Sequence, residues 1–153
     1  MTDQSSKQAS IRTITLLARY GSLGKIREFV ADSAQTCGLV PAAVYAVQLA
    51  VDEAFTNIIE HAYGGECYEE IQCACQIEAG RLTIKLRDCG RPFSPGEVPD
   101  PDTNAALEQR QAGGLGLYFM RNLMDEVHFT FIPETNDEGC NILTMVKTKE
   151  KGT

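Results

Sequence analysis

The sequence contains no apolar run near the roughly 18 residues that a membrane-spanning helix needs. The opening residues, MTDQSSKQAS, have neither the apolar core of a secretory leader nor the arginine-rich pattern of a transit peptide. These two absences argue against a membrane protein with helical spans and predict residence in the cytoplasm.

Positive charge is also scarce. The 14 Lys and Arg residues are outnumbered by 21 Asp and Glu residues, which gives a formal net charge of -7. Proteins that bind nucleic acid through its phosphates need clustered Lys and Arg, so we expect no direct nucleic-acid partner. A folded protein partner with a basic surface patch fits this charge better.

Patterns that would indicate zinc or disulfides are equally sparse. Two histidines and the lack of any Cys-x-x-Cys pair leave few routes to the four ligands of a structural zinc site. Six cysteines are present, but without an export signal we expect all of them to be reduced thiols that act as small core residues.

The chain has the length and composition of one globular domain, with 153 residues of which 43% are hydrophobic and 23% charged. We expect this domain at residues 10–148, between a disordered start at 1–9 and a tail at 149–153. Hydrophobic periodicity and turn residues predict the element order β-α-α-β-β-loop-α-β-β. The predicted segments are edge strand Ile11–Ala18, helix Leu23–Cys37 capped by Ser22, helix Pro41–Tyr63, strands Glu70–Ile77 and Leu82–Arg87, a helix opened by the glycines at 113–116, and strands Val127–Ile132 and Ile142–Lys147. This order indicates an α+β fold, a two-layer sandwich of a mostly antiparallel sheet and a helical layer.

The stretch Val51–Gly65, VDEAFTNIIEHAYGG, has two interpretations. At about 100° per residue, Glu53 and Asn57 project from one side of the predicted helix, nearly opposite its apolar stripe. One interpretation is a plain solvated face. The other is a covered site, which is favoured because no Lys or Arg occurs between Arg27 and Arg81, whereas an exposed face usually mixes both charges.

Two further patterns fit the same site. Asp88-Cys89-Gly90 follows a predicted strand, where an aspartate either caps a turn or accepts a hydrogen bond from a ligand amine. Gly113-Gly114-Leu115-Gly116 opens a predicted helix, whose unpaired N–H groups suit phosphate, although a tight turn explains the glycines as well. Each pattern is weak alone, whereas the three patterns in this order are specific.

With Glu53-x3-Asn57, Asp88-x-Gly90-x-Pro92-Phe93 and Gly114-Leu115-Gly116-Leu117, the sequence resembles the ATP-binding boxes of the gyrase, Hsp90, histidine-kinase and MutL (GHKL) superfamily. Within it, the segments AVDEAFTNIIEHAYGG and GLGLYFMRNLMDEV resemble the bacterial anti-sigma-factor serine/threonine kinases, over about residues 11–148. The resemblance implies the Bergerat ATP-binding fold, ATP and Mg²⁺ as cofactors, and phosphorylation of a serine or threonine on another protein.

The resemblance also implies residue roles. Asn57 would ligate Mg²⁺, Glu53 would be the catalytic base and Asp88 would accept from the adenine amine. Gly90 would let the backbone approach the ring, and His61 is interpreted as a packing or capping residue. The remaining implied nucleotide contacts are the phosphate donors Gly113, Gly114, Leu115 and Gly116, the cation Arg110 within a lid at Phe93–Ala112, and the adenine-site support Thr144.

The implied partners are an anti-sigma factor antagonist, which accepts the phosphoryl group, and a sigma factor that the protein holds inactive. The family resemblance further implies a homodimer, whose expected contact is the first strand and first helix. Two alternatives stay open. One is a switch module that binds ATP without phosphotransfer, which the single basic residue after Arg91 in the lid favours. The other is a detached histidine-kinase catalytic domain.

Overall fold

The computed structural model describes residues 9–92, 113–133 and 139–149. The predicted order of helices and strands is confirmed in these ranges. The elements are β1 (Ser10–Leu17), a 3-10 turn (Tyr20–Ser22), α1 (Leu23–Thr36), α2 (Pro41–Asn57), a π-helical turn (Ile58–Ala62), β2 (Glu70–Glu78), β3 (Arg81–Asp88), α3 (Gly113–Leu123), β4 (Glu126–Ile132) and β5 (Cys140–Thr148).

The five described strands form one antiparallel sheet in the order β1-β2-β3-β5-β4. This confirms both the α+β fold class and the prediction that the first strand lies at an edge. Along β3, the side chains of Leu82, Ile84 and Leu86 are fully buried, whereas the residues between them are partly or fully exposed. Alternation of this kind means that one face of the sheet is covered and the other is open to solvent.

Helix α2 is the centre of the helical layer and contacts both α1 and α3. The apolar stripe predicted for it is buried, as Val47, Val51 and Phe55 are fully inaccessible to solvent. Each buried side chain of this size stabilises the fold by about 1.5–3 kcal/mol relative to an exposed one. The core between α2 and the sheet therefore fixes the position of the polar residues on the other side of the same helix.

The first helix begins at Leu23 as predicted, but its cap and the end of the second helix differ from the prediction. Ser22 does not cap α1, because its hydroxyl donates instead to the Leu17 carbonyl at 2.8 Å. The second helix is α-helical only to Asn57 and then continues as the π-helical turn, in which the Tyr63 N–H donates to the Ile58 carbonyl at 3.0 Å. Such turns occur frequently at functional sites, and this one begins directly after a candidate site residue.

Within the described ranges, no helix is both long enough and apolar enough to cross a membrane. The same residues include no group of three or more His, Cys, Asp or Glu placed to hold a metal ion. The predicted disordered start and C-terminal tail lie outside the described residues, apart from Ala9 and Lys149. The domain limits of 10–148 therefore stay a prediction.

Candidate functional site

A pocket opens between the end of α2, the helix α3 and the strands β3, β5 and β4. Its empty space is about 480 Å³, open solvent at the mouth included. The lining residues are Ala54, Asn57, Ile58, His61, Ala62, Asp88, Met120, Phe129, Thr130, Asn141, Ile142 and Leu143. A mainly apolar pocket with a few convergent polar groups is the common form of a small-ligand site.

Asp88 lies in the wall of this pocket, where the end of β3 meets the start of β5. It is only 4% exposed, and its Oδ1 accepts hydrogen bonds from the Gly90 N–H and the Asn141 side-chain amide, both at 2.9 Å. Burial raises the pKa of Asp88, whereas the hydrogen bonds from Asn141 and from the Gly90 N–H lower it. The two bonds stabilise the charged form and so offset part of the desolvation cost.

Asn141 is a site residue that the sequence reasoning missed. It pairs directly with Asp88 in the β3–β5 register, is 8% exposed, and donates a second bond to the Arg91 carbonyl at 2.8 Å. A signal was present, because an asparagine interrupts the otherwise apolar start of the last strand, CNILTMV. Its partner cannot be named without the register of two strands that are far apart in sequence.

Gly90 and Arg91 fasten the loop after β3 to the π-helical turn. A Cβ atom at Gly90 would clash with the Ala62 carbonyl, and the Arg91 N–H donates to that carbonyl at 2.8 Å. The Arg91 guanidinium donates to the His61 carbonyl at 2.7 and 3.2 Å. The close approach that requires glycine here is therefore to Ala62, rather than only to a ligand ring as the resemblance implied.

Glu53 and Asn57 are both half-buried and lie one helical turn apart. Asn57 lines the pocket, whereas Glu53 lies outside its lining. Burial raises the pKa of Glu53, and the negative charges of Asp52 and Glu60 raise it further. This side of α2 is thus not a plain solvated face, since both polar residues are partly withdrawn from water.

The glycines lie at the start of a helix, as predicted, but helix α3 already begins at Gly113, so the residues Gly113, Gly114, Leu115 and Gly116 form its first turn. Backbone N–H groups in the first turn of an α-helix have no partner within the helix. Met120, one turn further along, lines the pocket. The predicted cation Arg110 and the lid at Phe93–Ala112 lie outside the described residues.

Thr144 does not line the pocket. It pairs with Lys85, whereas its neighbour Leu143 pairs with the buried Leu86, so Thr144 projects from the sheet face opposite the helices. This placement does not fit the implied role of Thr144 in an adenine site. Asn141, three residues earlier, projects toward the helices and makes the bond to Asp88 instead.

His61 lines the pocket and carries a buried polar atom that has no hydrogen-bond partner. Among the described residues, its Nε2 is the one buried side-chain nitrogen or oxygen without a hydrogen-bond partner. A buried polar atom left unpaired costs about 1–3 kcal/mol. The packing role expected for His61 therefore leaves this ring nitrogen unsatisfied.

Cys89 and Cys140 form a disulfide. The prediction that every cysteine is a reduced thiol is therefore wrong for this pair. The physical reason is the strand register, because the two residues extend the β3–β5 ladder by one pair beyond Asp88 and Asn141. The remaining cysteines, Cys37, Cys67, Cys73 and Cys75, are free thiols.

Comparison with known proteins gives concordant matches. The family described as "Histidine kinase-like ATPase domain" matches residues 16–147. "Serine-protein kinase RsbW" of Listeria monocytogenes is 30% identical over 136 residues, which cover 86% of this chain and 82% of that protein. The Bacillus pumilus protein of the same name is 36% identical over 111 residues, covering 69% of this chain and 68% of that one.

Among solved structures, the crystal structure of the SiaB–SiaC complex from Pseudomonas aeruginosa contains a similar fold. The TM-score is 0.65 at 14% sequence identity, and the match covers 93% of this chain and 92% of that chain. At this identity the likeness concerns the fold alone.

Proposed function

Because the chain belongs to the histidine kinase-like ATPase family and is a protein serine/threonine kinase, we propose that it phosphorylates an anti-sigma factor antagonist with Mg²⁺ and ATP and sequesters a sigma factor. The observation that carries the nucleotide part is the buried Asp88, held by Asn141 and the Gly90 N–H in the wall of an apolar pocket. A buried carboxyl group in the wall of such a pocket is suited to accept a hydrogen bond from a ligand donor.

Adenine fits these groups. Both hydrogen bonds to the Asp88 carboxylate fall on Oδ1, which would leave Oδ2 to accept from the exocyclic amine of adenine. Guanine has a carbonyl oxygen at the corresponding position, and two acceptors facing each other repel, so Asp88 would select ATP over GTP.

Mg²⁺ fits a site with a single protein ligand. It usually keeps several waters and is held by one or two protein oxygens together with phosphate oxygens. The side-chain oxygen of Asn57, which lines the pocket, is the proposed ligand. The metal would supply positive charge that offsets the charge of the phosphates.

The phosphate groups would be held by the backbone N–H groups of Gly113, Gly114, Leu115 and Gly116 at the start of α3. Among the described residues that line the pocket there is no Lys or Arg. The proposed cation for the transferring phosphoryl group is therefore Arg110.

Glu53 is proposed as the general base. Its raised pKa favours proton uptake relative to an ordinary surface glutamate. The acceptor hydroxyl would give its proton to the Glu53 carboxylate while the hydroxyl oxygen bonds to the γ-phosphorus, the bond from phosphorus to the bridging oxygen breaks and ADP departs. An alternative is a partner-switching module that binds ATP without transferring phosphate, which the lack of Lys or Arg among the described lining residues favours.

The proposed partners follow from the relatives and from charge. The relatives are named serine-protein kinases, which implies a protein as the phosphoryl acceptor. A net charge of -7 suits a protein partner with a basic patch, and a sigma-factor partner implies the cytoplasm. A homodimer through the edge strand β1 and α1 remains part of the proposal.

The test is transfer of labelled phosphate from ATP, with Mg²⁺, to purified candidate antagonist proteins. We expect a phosphoserine or phosphothreonine product that survives acid, whereas an acid-labile phosphohistidine would point to a histidine-kinase domain. Asn57→Ala should weaken nucleotide binding in Mg²⁺ but not in EDTA. Tight ATP binding without transfer to any antagonist would favour the switch module.

A further inference from the structure

The disulfide is adjacent in sequence to the residues proposed to bind adenine. Asp88 is the last residue of β3 and pairs with Asn141 of β5. Cys89 directly follows Asp88, and Cys140 directly precedes Asn141. Asn141 in turn bonds to both Asp88 and the Arg91 carbonyl. The covalent link therefore holds together the two chain segments from which the pocket wall is built.

Cys89 is exposed, whereas Cys140 is 4% exposed. Cys89 also borders an open groove of about 780 Å³, solvent at the mouth included, which Tyr63, Tyr68 and Arg87 line with it. An external thiol can therefore approach the sulfur of Cys89 from the solvent side, with the Cys140 sulfur as the leaving group.

The free thiols are poor competitors for such chemistry. Cys37, Cys73 and Cys75 are buried and Cys67 is half-buried. Burial raises the pKa of Cys37, and the hydrogen bond with Cys75, together with burial, raises the pKa of Cys73, so that little reactive thiolate forms at these two residues. The hydrogen bond with Cys73 lowers the pKa of Cys75, but Cys75 is buried. Of the six cysteines, Cys89 alone is exposed, which favours thiol exchange at the Cys89–Cys140 pair.

The loop that the disulfide closes contains much of the proposed nucleotide site. The two cysteines are 51 residues apart, and the intervening chain includes the helix α3 with its glycine-rich first turn. Opening the disulfide would remove the covalent tie at the base of this segment. Asn141 and Arg91 would then be left to hold the base by hydrogen bonds.

We propose that Cys89–Cys140 is a reversible redox modification site that controls nucleotide affinity, with the disulfide form binding ATP more tightly than the dithiol form. This inference rests on the proposed nucleotide site. A disulfide in a cytoplasmic protein, as this chain is proposed to be, is more often redox-sensing than structural. The reductant is of the dithiol class, such as a reduced thioredoxin-type protein, or dithiothreitol in the test.

The exchange balances in two steps. A thiolate of the dithiol attacks the Cys89 sulfur, the Cys89–Cys140 bond breaks, and Cys140 leaves as a thiolate that takes a proton. The second thiol of the reductant then attacks the mixed disulfide, releases Cys89 as a thiolate and leaves the reductant oxidised. Two electrons and two protons pass to the protein.

The expected effect follows from preorganisation. The tied segments keep Asp88 and Asn141 in place before ATP arrives, so less conformational freedom is lost on binding. We expect reduction to weaken ATP affinity at least about fivefold, the lower end of typical coupling between two sites. Coupling is reciprocal, so saturating ATP should make the disulfide harder to reduce by the same factor.

The experiment uses the full chain, oxidised with glutathione disulfide or reduced with dithiothreitol. Alkylation under denaturing conditions should count four free thiols in the oxidised protein and six in the reduced one. Calorimetric titration with Mg-ATP then gives the affinity of each form. The Cys89→Ser/Cys140→Ser variant should match reduced wild type with or without dithiothreitol, whereas the control Cys67→Ser should keep the redox dependence.

Three results would overturn the inference. Six free thiols after oxidation would show that the pair does not form a disulfide in solution. Equal ATP affinities in the two redox forms would show that the disulfide does not control nucleotide binding, while the proposed nucleotide site would stand. Failure of both forms to bind ATP would overturn the proposed function together with this inference.

Discussion

The site has two central carboxylates, Asp88 in the pocket wall and Glu53 on the polar side of α2. The two differ in their hydrogen bonding to the rest of the protein. Asp88 is bonded to Asn141 and to the loop backbone. Glu53 and Asn57, by contrast, have no side-chain hydrogen bond to any other described residue. The groups proposed for recognition are fixed before a ligand arrives, while those proposed for chemistry remain available to metal and acceptor.

Electrostatics separates the same two regions. Desolvation raises the pKa of both carboxyl groups. At Asp88 hydrogen bonds oppose that rise, whereas at Glu53 the charges of Asp52 and Glu60 add to it. Glu53 therefore takes up a proton more readily than an ordinary glutamate, whereas at Asp88 hydrogen bonds offset part of the same tendency, so recognition and chemistry should respond separately to mutation.

Replacing Glu53 should have the largest effect and should be confined to chemistry. Glu53→Gln keeps the shape but cannot accept the proton, so we expect the transfer rate to fall by about 10²–10⁴-fold with ATP affinity unchanged. Single-turnover phosphotransfer and calorimetric titration measure the two quantities. Glu60→Gln, an exposed change on the same side of the helix, is the matched control and should retain most of the rate, because Glu60 is the weakest of the three influences that raise the pKa of Glu53. Equal rates for Glu53→Gln and wild type would favour the switch module.

Asp88→Asn should have the next largest effect and should act on recognition. The variant faces the adenine amine with a donor or a neutral acceptor, so we expect a loss of about 1.5–3 kcal/mol in binding, on the order of 10- to 150-fold. Calorimetric titrations with ATP and with GTP would show both the loss and the reduced discrimination. Asp52→Asn, the same change at a residue paired with Arg27 outside the pocket, should leave ATP affinity unchanged. A wild-type affinity in Asp88→Asn would disprove the adenine assignment.

Gly90→Ala tests whether the packing of the loop against the π-helical turn is as tight as the structure indicates. The added methyl would clash with the Ala62 carbonyl, so we expect a loss of about 1–3 kcal/mol in the free energy of unfolding. Urea denaturation would measure it. Gly24→Ala in α1 is the control, because its Cβ meets nothing within 4 Å and alanine should stabilise that helix by up to about 1 kcal/mol. Equal stability of Gly90→Ala and wild type would contradict the close contact.

The sequence predicted the parts of the molecule that depend on local order. Periodicity placed the strands, the helices and the buried stripe of α2 correctly, because hydrophobic spacing and turn residues are read within one segment. The features that the sequence did not predict depend on contacts between segments that are far apart in the chain. Asn141 and the Cys89–Cys140 bond both depend on which residues of β3 and β5 face each other. A shift of one residue would have put Asn141 on the open face, where Thr144 projects in the observed register. The π-helical turn after Asn57 has no local sequence signal that propensity reasoning uses.

The smallest expected effect concerns the pH dependence of the transfer rate at acid pH. It tests whether neighbouring charges raise the pKa of Glu53, as the comparison with Asp88 assumes. A base works only when unprotonated, so the transfer rate should fall as the pH drops through the pKa of Glu53. That pKa is raised by burial first and by Asp52 second, which moves the fall to higher pH than for an ordinary glutamate.

Asp52→Asn removes the negative neighbour and leaves Arg27 unpaired, and both changes should shift the acid limb of kcat to lower pH. The shift should be a fraction of one pH unit, because partly exposed charges interact weakly, and it should shrink further in high salt. A displacement to higher pH, or an identical profile at low salt, would mean that the titrating group is not Glu53.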